Sequence, residues 1–212
     1  MKAILISDHA KWCALMMNGK KTIEVRKTKA LANAIQKLID ENGYADIYVY
    51  CSKSNYLGYI SNRYVGKVIF KFRCYDVEVL FWDTDVIDKK LKGIHYIADE
   101  DFKKTCLTYE EYENYLDEGK DGYAIYISDL VIFDKPKELS EFRKPRCCDC
   151  KLRCNNNLEH SFCREVCSHN LDSERLSVCC DRDGWIKEYN TGNMCLTKAP
   201  QSWCYCEIVE KE

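Results

Sequence analysis

Apolar residues recur along this chain in two rhythms, one of about two residues and one of about three and a half, and each rhythm predicts a different element. Residues 3–7, AILIS, are a short apolar run that predicts a strand. A helix is expected next, with Ser7 or Asp8 able to cap it, an apolar stripe of Trp12, Leu15 and Met16, and a left-handed stop at Asn18-Gly19. TIEVRK then alternates: Ile23 and Val25 fall on one side, Thr22, Glu24 and Arg26 on the other. That is a strand with one buried face and one charged face. Residues 30–41 place Leu31, Ala34, Ile35, Leu38 and Ile39 on a single helical face and close at Asn42-Gly43.

Further along, DIYVYCS and GKVIFKFRCYDVEVL predict two strands, the second a long one. Thr108-Tyr-Glu-Glu111 is a capping box that opens a short helix ending near Gly119. GYAIYISDLVIF predicts another strand, ended by Lys135-Pro136, and SWCYCEIV predicts a last one at 202–209. Five or six strands with helices between them, out of regular βαβ alternation, suggest an α+β protein: a small, mostly antiparallel barrel with peripheral helices. The expected domains are a barrel over 1–143, a cysteine-rich inserted lobe over 144–196 that is poor in strands, and the final barrel strand over 197–212.

Composition supports an ordinary core, with 46% hydrophobic residues, and the formal charge of −2 offers no global basic field to nucleic acid. Any nucleic-acid partner has to be met by a local patch. The opening MKAILISDHAKW is too short and too polar for a signal peptide, and no run approaches a membrane span, so the expected location is the cytoplasm. Fifteen cysteines, nine of them between Cys147 and Cys195, are an odd number in a chain without a visible export signal. That argues for metal ligation over a full disulfide framework. Cys147-x-x-Cys150 has metal-knuckle spacing, and Cys163-x-x-x-Cys167 puts two thiolates on one helical face. A structural zinc would supply folding energy to a segment with few large apolar residues. Cys148, Cys154, Cys179, Cys180, Cys195, His160 and His169 are alternative ligands, and free thiols in a loose insertion are the competing reading.

Gly19-x-Lys21-x-x-Glu24-x-Arg26 matches the GxKxxExR signature of the ASCH domain, a member of the PUA-like superfamily. The blocks CLTYEEYENYL, GYAIYISDLVIFDKPKELSEF and KAPQSWCYCE also resemble ASCH proteins common in phages and Firmicutes; a phage protein would act in the host cytoplasm. The resemblance implies a PUA-like mixed or antiparallel barrel whose cleft, beside the first helix, receives the charged residues of the motif. It implies RNA, a modified nucleoside or a nucleotide as ligand. Lys21, Glu24 and Arg26 are the candidate ligand-binding residues, joined by Ser7 at the end of the first strand and by Trp203 and Tyr205 on one face of the last. Cations donate to carbonyls or phosphate, while a carboxylate accepts from an exocyclic amine. Some relatives hydrolyse N4-acetylcytidine with a lysine and a threonine. Lys21 matches the lysine, but Glu24 stands at the threonine position and cannot simply replace a hydroxyl nucleophile. Two alternatives stand beside a binding module: an amidohydrolase or ribonuclease using Lys21 and Glu24 in the same cleft, and a protein-interaction or anti-defence module acting through the cysteine lobe.

Overall fold

The computed structural model describes residues 2–53, 58–83, 94–95, 97–116, 120–143, 177–180, 186–189, 196 and 198–208. These group into two compact units, one of 2–138 with 199–205 and the other of the described parts of 139–198 and 206–208.

In the larger unit, β1 (Ala3–Asp8) leads into α1 (Ala10–Met17), followed by β2 (Ile23–Arg26), α2 (Lys29–Asn42) and β3 (Ala45–Cys51). Next come β4 (Val68–Cys74), β5 (Val77–Leu80) and a minimal pair, β6 (Trp82–Asp83) with β7 (Ile94–His95). Two short helices, α3 (Asp99–Thr105) and α4 (Tyr109–Tyr115), precede β8 (Gly122–Tyr126) and β9 (Ser128–Lys137). The smaller unit holds β10 (Phe142–Arg143), a hairpin of β11 (Ser177–Cys180) with β12 (Ile186–Tyr189), and the end of β13 (Trp203–Ile208). The hairpin falls in the segment expected to be poor in strands.

One sheet of the larger unit runs β13-β1-β3-β4-β9, and a second runs β2-β8-β5. β1 and β3 are parallel, and the pairs β3–β4, β4–β9, β2–β8 and β5–β8 are antiparallel. The result is a mixed α+β architecture, a curled half-barrel with four α-helices among the described residues, consistent with the PUA-like expectation. None of those helices is long and apolar enough to cross a membrane.

Both long strands read from the sequence turn out to be bent. β4 and β5 follow one extended path that breaks at Tyr75-Asp76, and β8 and β9 follow another that breaks at Ile127. The limbs pair with each other on either side of the bend, Arg73 with Ser128 and Val77 with Ile125. Pro136 does not end β9, which continues to Lys137. The strand lies at the outer edge of its sheet, with a register shift between Val68 and Phe70 of its partner, and this is where a residue lacking an N–H is tolerated.

α2 buries Leu31, Ala34, Ile35 and Leu38 in the main core and stops at Gly43, whose φ of 82° suits a residue without a Cβ. Its apolar face is part of the same core as Ile4, Ile6, Ile47 and Phe70. A second cluster sits under α3 and α4, where Ile23 and Val25 meet Phe102, Tyr112 and Leu116. β2 is therefore covered on one face by these two helices.

Candidate functional site: a buried tetrad of charged side chains

The turn after α1 sets the site. Gly19, at φ 73°, closes the helix by donating to Met16 O, and the backbone N–H groups of Lys20 and Lys21 both donate to Leu15 O. This swings Lys21 back under the helix. Neither Ser7 nor Asp8 caps α1; the N-cap is His9, without a side-chain bond. The strand runs on through Asp8 because that side chain has another use.

On β2, Glu24 and Arg26 leave the face opposite Ile23 and Val25, as the alternation predicts. They were expected to line an open concavity. Instead α1 and β1 cover that face, and the residues are sealed: Lys21 is 2% exposed, Glu24 5%, Arg26 7% and Asp8 7%. Lys21 Nζ donates to Thr105 O at 2.7 Å and Ile23 O at 2.9 Å, and lies 3.2 Å from Glu24 Oε2, so three acceptors surround an ammonium with three N–H bonds. Arg26 Nη2 donates to Ser7 O at 3.1 Å and reaches Asp8 Oδ2 at 3.4 Å. Arg26 Nε sits 2.7 Å from Glu24 Oε1, yet its N–H has no well-directed acceptor; the contact is an ion pair more than a hydrogen bond.

Desolvation would raise the Glu24 pKa, but Lys21 and Arg26 overturn it and hold the carboxyl below its ordinary value. Asp8 goes the other way. Burial, reinforced by the Glu24 charge and only partly opposed by Arg26 and Lys21, pushes its carboxyl up to about 7. Arg26 is more firmly protonated than usual: its own burial opposes that, but the charges of Glu24 and Asp8 prevail.

The remaining sequence candidates divide. Ser7 belongs to the site through its backbone oxygen, while its hydroxyl donates to Pro200 O at 2.7 Å and is thus committed within the fold. Trp203 and Tyr205 contact each other edge to face at 5.5 Å and pack half-buried on the main core. Tyr205 lies under Lys2, at the other end of β1 from Ser7 and Asp8. The metal candidates Cys147, Cys150, Cys163 and Cys167 lie outside the described residues.

Sequence reasoning missed three participants. Asp8 was read as a cap, and nothing local marks it as the ion partner of Arg26, 18 positions away. Thr105, fully buried at the end of α3, supplies a carbonyl to Lys21, and α3 itself was overlooked. Its signal was present: Asp99, Glu100 and Asp101 in the first turn and Lys103 and Lys104 in the last complement a helix dipole. Tyr115 is 37% exposed, and Arg26, Glu24 and Asp8 all act on its hydroxyl, whose pKa burial raises.

A curled half-barrel with a charged set drawn from its GxKxxExR turn and strand is what the ASCH resemblance leads one to expect. No family model and no curated protein matches the chain. Among solved structures it is similar to the ASCH protein of Zymomonas mobilis, with a TM-score of 0.39 and 14% identity over 99% of this chain and 88% of that one. A point variant of that protein gives 0.46 and 13%, covering 99% and 89%. The N-terminal domain of Staphylothermus marinus McrB gives 0.39 and 10%, covering 64% of this chain and 76% of that one.

Proposed function

We propose that this chain is a binding module for RNA or a modified nucleoside, centred on Asp8, Lys21, Glu24 and Arg26, with a structural zinc lobe. The burial of that tetrad carries the reading. Removing four ionisable side chains from water costs more than well-packed apolar residues of the same volume would, so stability alone does not account for them. Buried groups whose pKa values are driven apart are a mark of functional sites.

The surroundings favour nucleic acid over other ligands. Lys11 Nζ stands 4.1 Å from the centre of the Trp12 ring, and Lys27 Nζ 5.8 Å from that of Tyr115. Tyr109, on the same helix as Tyr115, is 64% exposed. Cations interleaved with aromatic rings suit a single strand, whose phosphates and bases they meet together.

Binding is favoured over turnover because Glu24, at the threonine position of the acetylcytidine hydrolases, is held between two cations, and because Lys21 already has three acceptors. The test is a titration of short single-stranded RNA at two salt concentrations, beside product assays on N4-acetylcytidine and RNA. Lys27→Ala should weaken binding and flatten its salt dependence, since one fewer counterion is released. Product formation by the wild type would replace the binding reading with an enzymatic one.

Zinc is proposed from the Cys147, Cys150, Cys163 and Cys167 spacing alone. Elemental analysis of protein purified under reducing conditions should find about one zinc per chain. Protein free of metal, with those thiols unprotected against alkylation, would remove the lobe from the proposal.

A further inference from the structure

β9 is the outer strand of its sheet: β4 pairs with one side of it, and among the described residues no strand pairs with the other. That side presents backbone N–H and C=O groups to whatever approaches. The side chains agree. Successive residues of a strand point to opposite faces, yet Val131 is 48% exposed and its neighbour Ile132 40%. Both are open because the edge between the two faces is open. Leu130-Val-Ile-Phe133 is thus an uncharged run of strand-forming residues on an exposed edge, a segment suited to pairing with another strand.

The flanks of the run limit what can be added. Asp129, at φ 47°, breaks the regular strand at one end, and Pro136, which has no N–H, breaks it at the other. Charge then selects the neighbour, since Asp129, Asp134, Lys135 and Lys137 all lie in β9. A parallel copy in register sets each of these charges against itself and is repelled. An antiparallel copy can match them. With Ile132 opposite Ile132 of the second copy, Val131 faces Phe133 and Asp129 faces Lys135, and the two-fold axis repeats both pairs. An axis at Phe133 instead draws Pro136 into the ladder opposite Leu130 and sets Asp134 against Ile132. An axis at Val131 sets Asp129 against Phe133.

We propose that β9 is a dimerisation edge, pairing antiparallel with β9 of a second copy of this chain and with Ile132 on the two-fold axis. Pairs of an aromatic with a β-branched residue, and of opposite charges, each favour this register. The charges are available for it. Asp129 accepts from the Tyr75 hydroxyl at 2.6 Å, but its ion pair with Arg73 spans 3.9 Å in solvent. Lys135 is exposed and has no ion pair among the described residues. Pairing uses the same edge of both copies, so assembly stops at two. The proposal holds whatever ligand the chain binds.

The test is sedimentation velocity of the intact chain over a range of concentrations, without nucleic acid and in reductant, so that its 15 cysteines cross-link nothing. The mass should rise from one chain to two and no further. Ile132→Lys places two like charges together on the axis and should abolish the dimer, with circular dichroism confirming the fold. Charge exchange tests the register through two exposed residues. Asp129→Lys and Lys135→Asp should each dimerise about tenfold more weakly than the wild type, because two attractive pairs become two repulsive ones. Mixed together, the two variants should recover a dimer of one of each, in which both pairs are again opposite in sign. A chain that stays single at every concentration overturns the proposal and leaves the edge to a strand of some other protein. A dimer that survives Ile132→Lys, a mixture no tighter than its components, or growth beyond two chains overturns it as well.

Discussion

Two sets of side chains in this protein have the same make-up and opposite surroundings. Asp8, Glu24, Lys21 and Arg26 are two acids, one lysine and one arginine; so are Asp46, Asp129, Lys71 and Arg73 at the outer end of the β3–β4–β9 sheet. The inner set is sealed and its ion pairs close at 2.7–3.4 Å. In the outer set Arg73 and Asp129 are open to solvent and the pairs span 3.5–3.9 Å. Water does for the outer set what each partner must do for the inner one. Identical chemistry is therefore cheap decoration in one place and an interdependent unit in the other.

The sharpest way to break the comparison is to remove one cation from each set. Lys21→Ala leaves a buried Glu24 and the Ile23 and Thr105 carbonyls short of a donor, and should cost about 3–5 kcal/mol in denaturant unfolding. Lys21 is 2% exposed, so its removal acts on the folded state and not only on a ligand. A loss of under about 1 kcal/mol would mean the tetrad behaves like a surface network.

The next effect is the response to pH. Asp8 holds its proton more tightly folded, at about 7, than unfolded, near 3.8. Its contribution to stability is full below the unfolded value and is lost as pH rises towards the folded one. The loss between about pH 4 and 7 should be on the order of 4 kcal/mol in the wild type and should vanish in Asp8→Asn. Glu24, whose pKa is lowered, contributes in the opposite sense: its part is present above the ordinary carboxylate range and fails as pH falls through its folded pKa. Urea titrations across this range on both proteins would separate the two, and a flat profile in the wild type would contradict the Asp8 assignment.

A smaller change is expected at the start of α4. Thr108 accepts from Glu111 N at 3.1 Å while the Glu111 side chain accepts from Thr108 N at 3.0 Å, as the capping box in the sequence predicts. Thr108→Ala should cost about 1 kcal/mol and fray α4, seen as faster amide exchange around Tyr115. Least of all should follow from Arg73→Ala in the outer set: a melting temperature indistinguishable from wild type at high salt, with any small difference confined to low salt.

How much of this could be read in advance depended on the range of the interaction. Alternation along 22–26 gave the two faces of β2, and the spacing from Leu31 to Leu38 gave α2, because both signals are local. That the polar face would be sealed could not be seen, since its cover comes from β1 and α1, elements whose own patterns say nothing about where they dock. Asp8 carried a plausible local role as a cap, which hid its distant one. The bends at Tyr75-Asp76 and Ile127 were invisible for a related reason: the alternating pattern holds along both limbs, and only the pairing shows that they belong to different sheets.

Those bends also constrain how the gene can change. Each path enters one sheet with its first limb and the other with its second, and the two corners meet where Tyr126 N donates to Asp76 O at 3.4 Å. Adding or deleting one residue at either corner moves a whole limb by one position, which exchanges the sides of every side chain on it. Phe72 or Ile125 would then leave the core in which both are fully buried. Insertions and deletions in descendants of this sequence should accordingly be absent from the two corners, or appear there only in matched pairs.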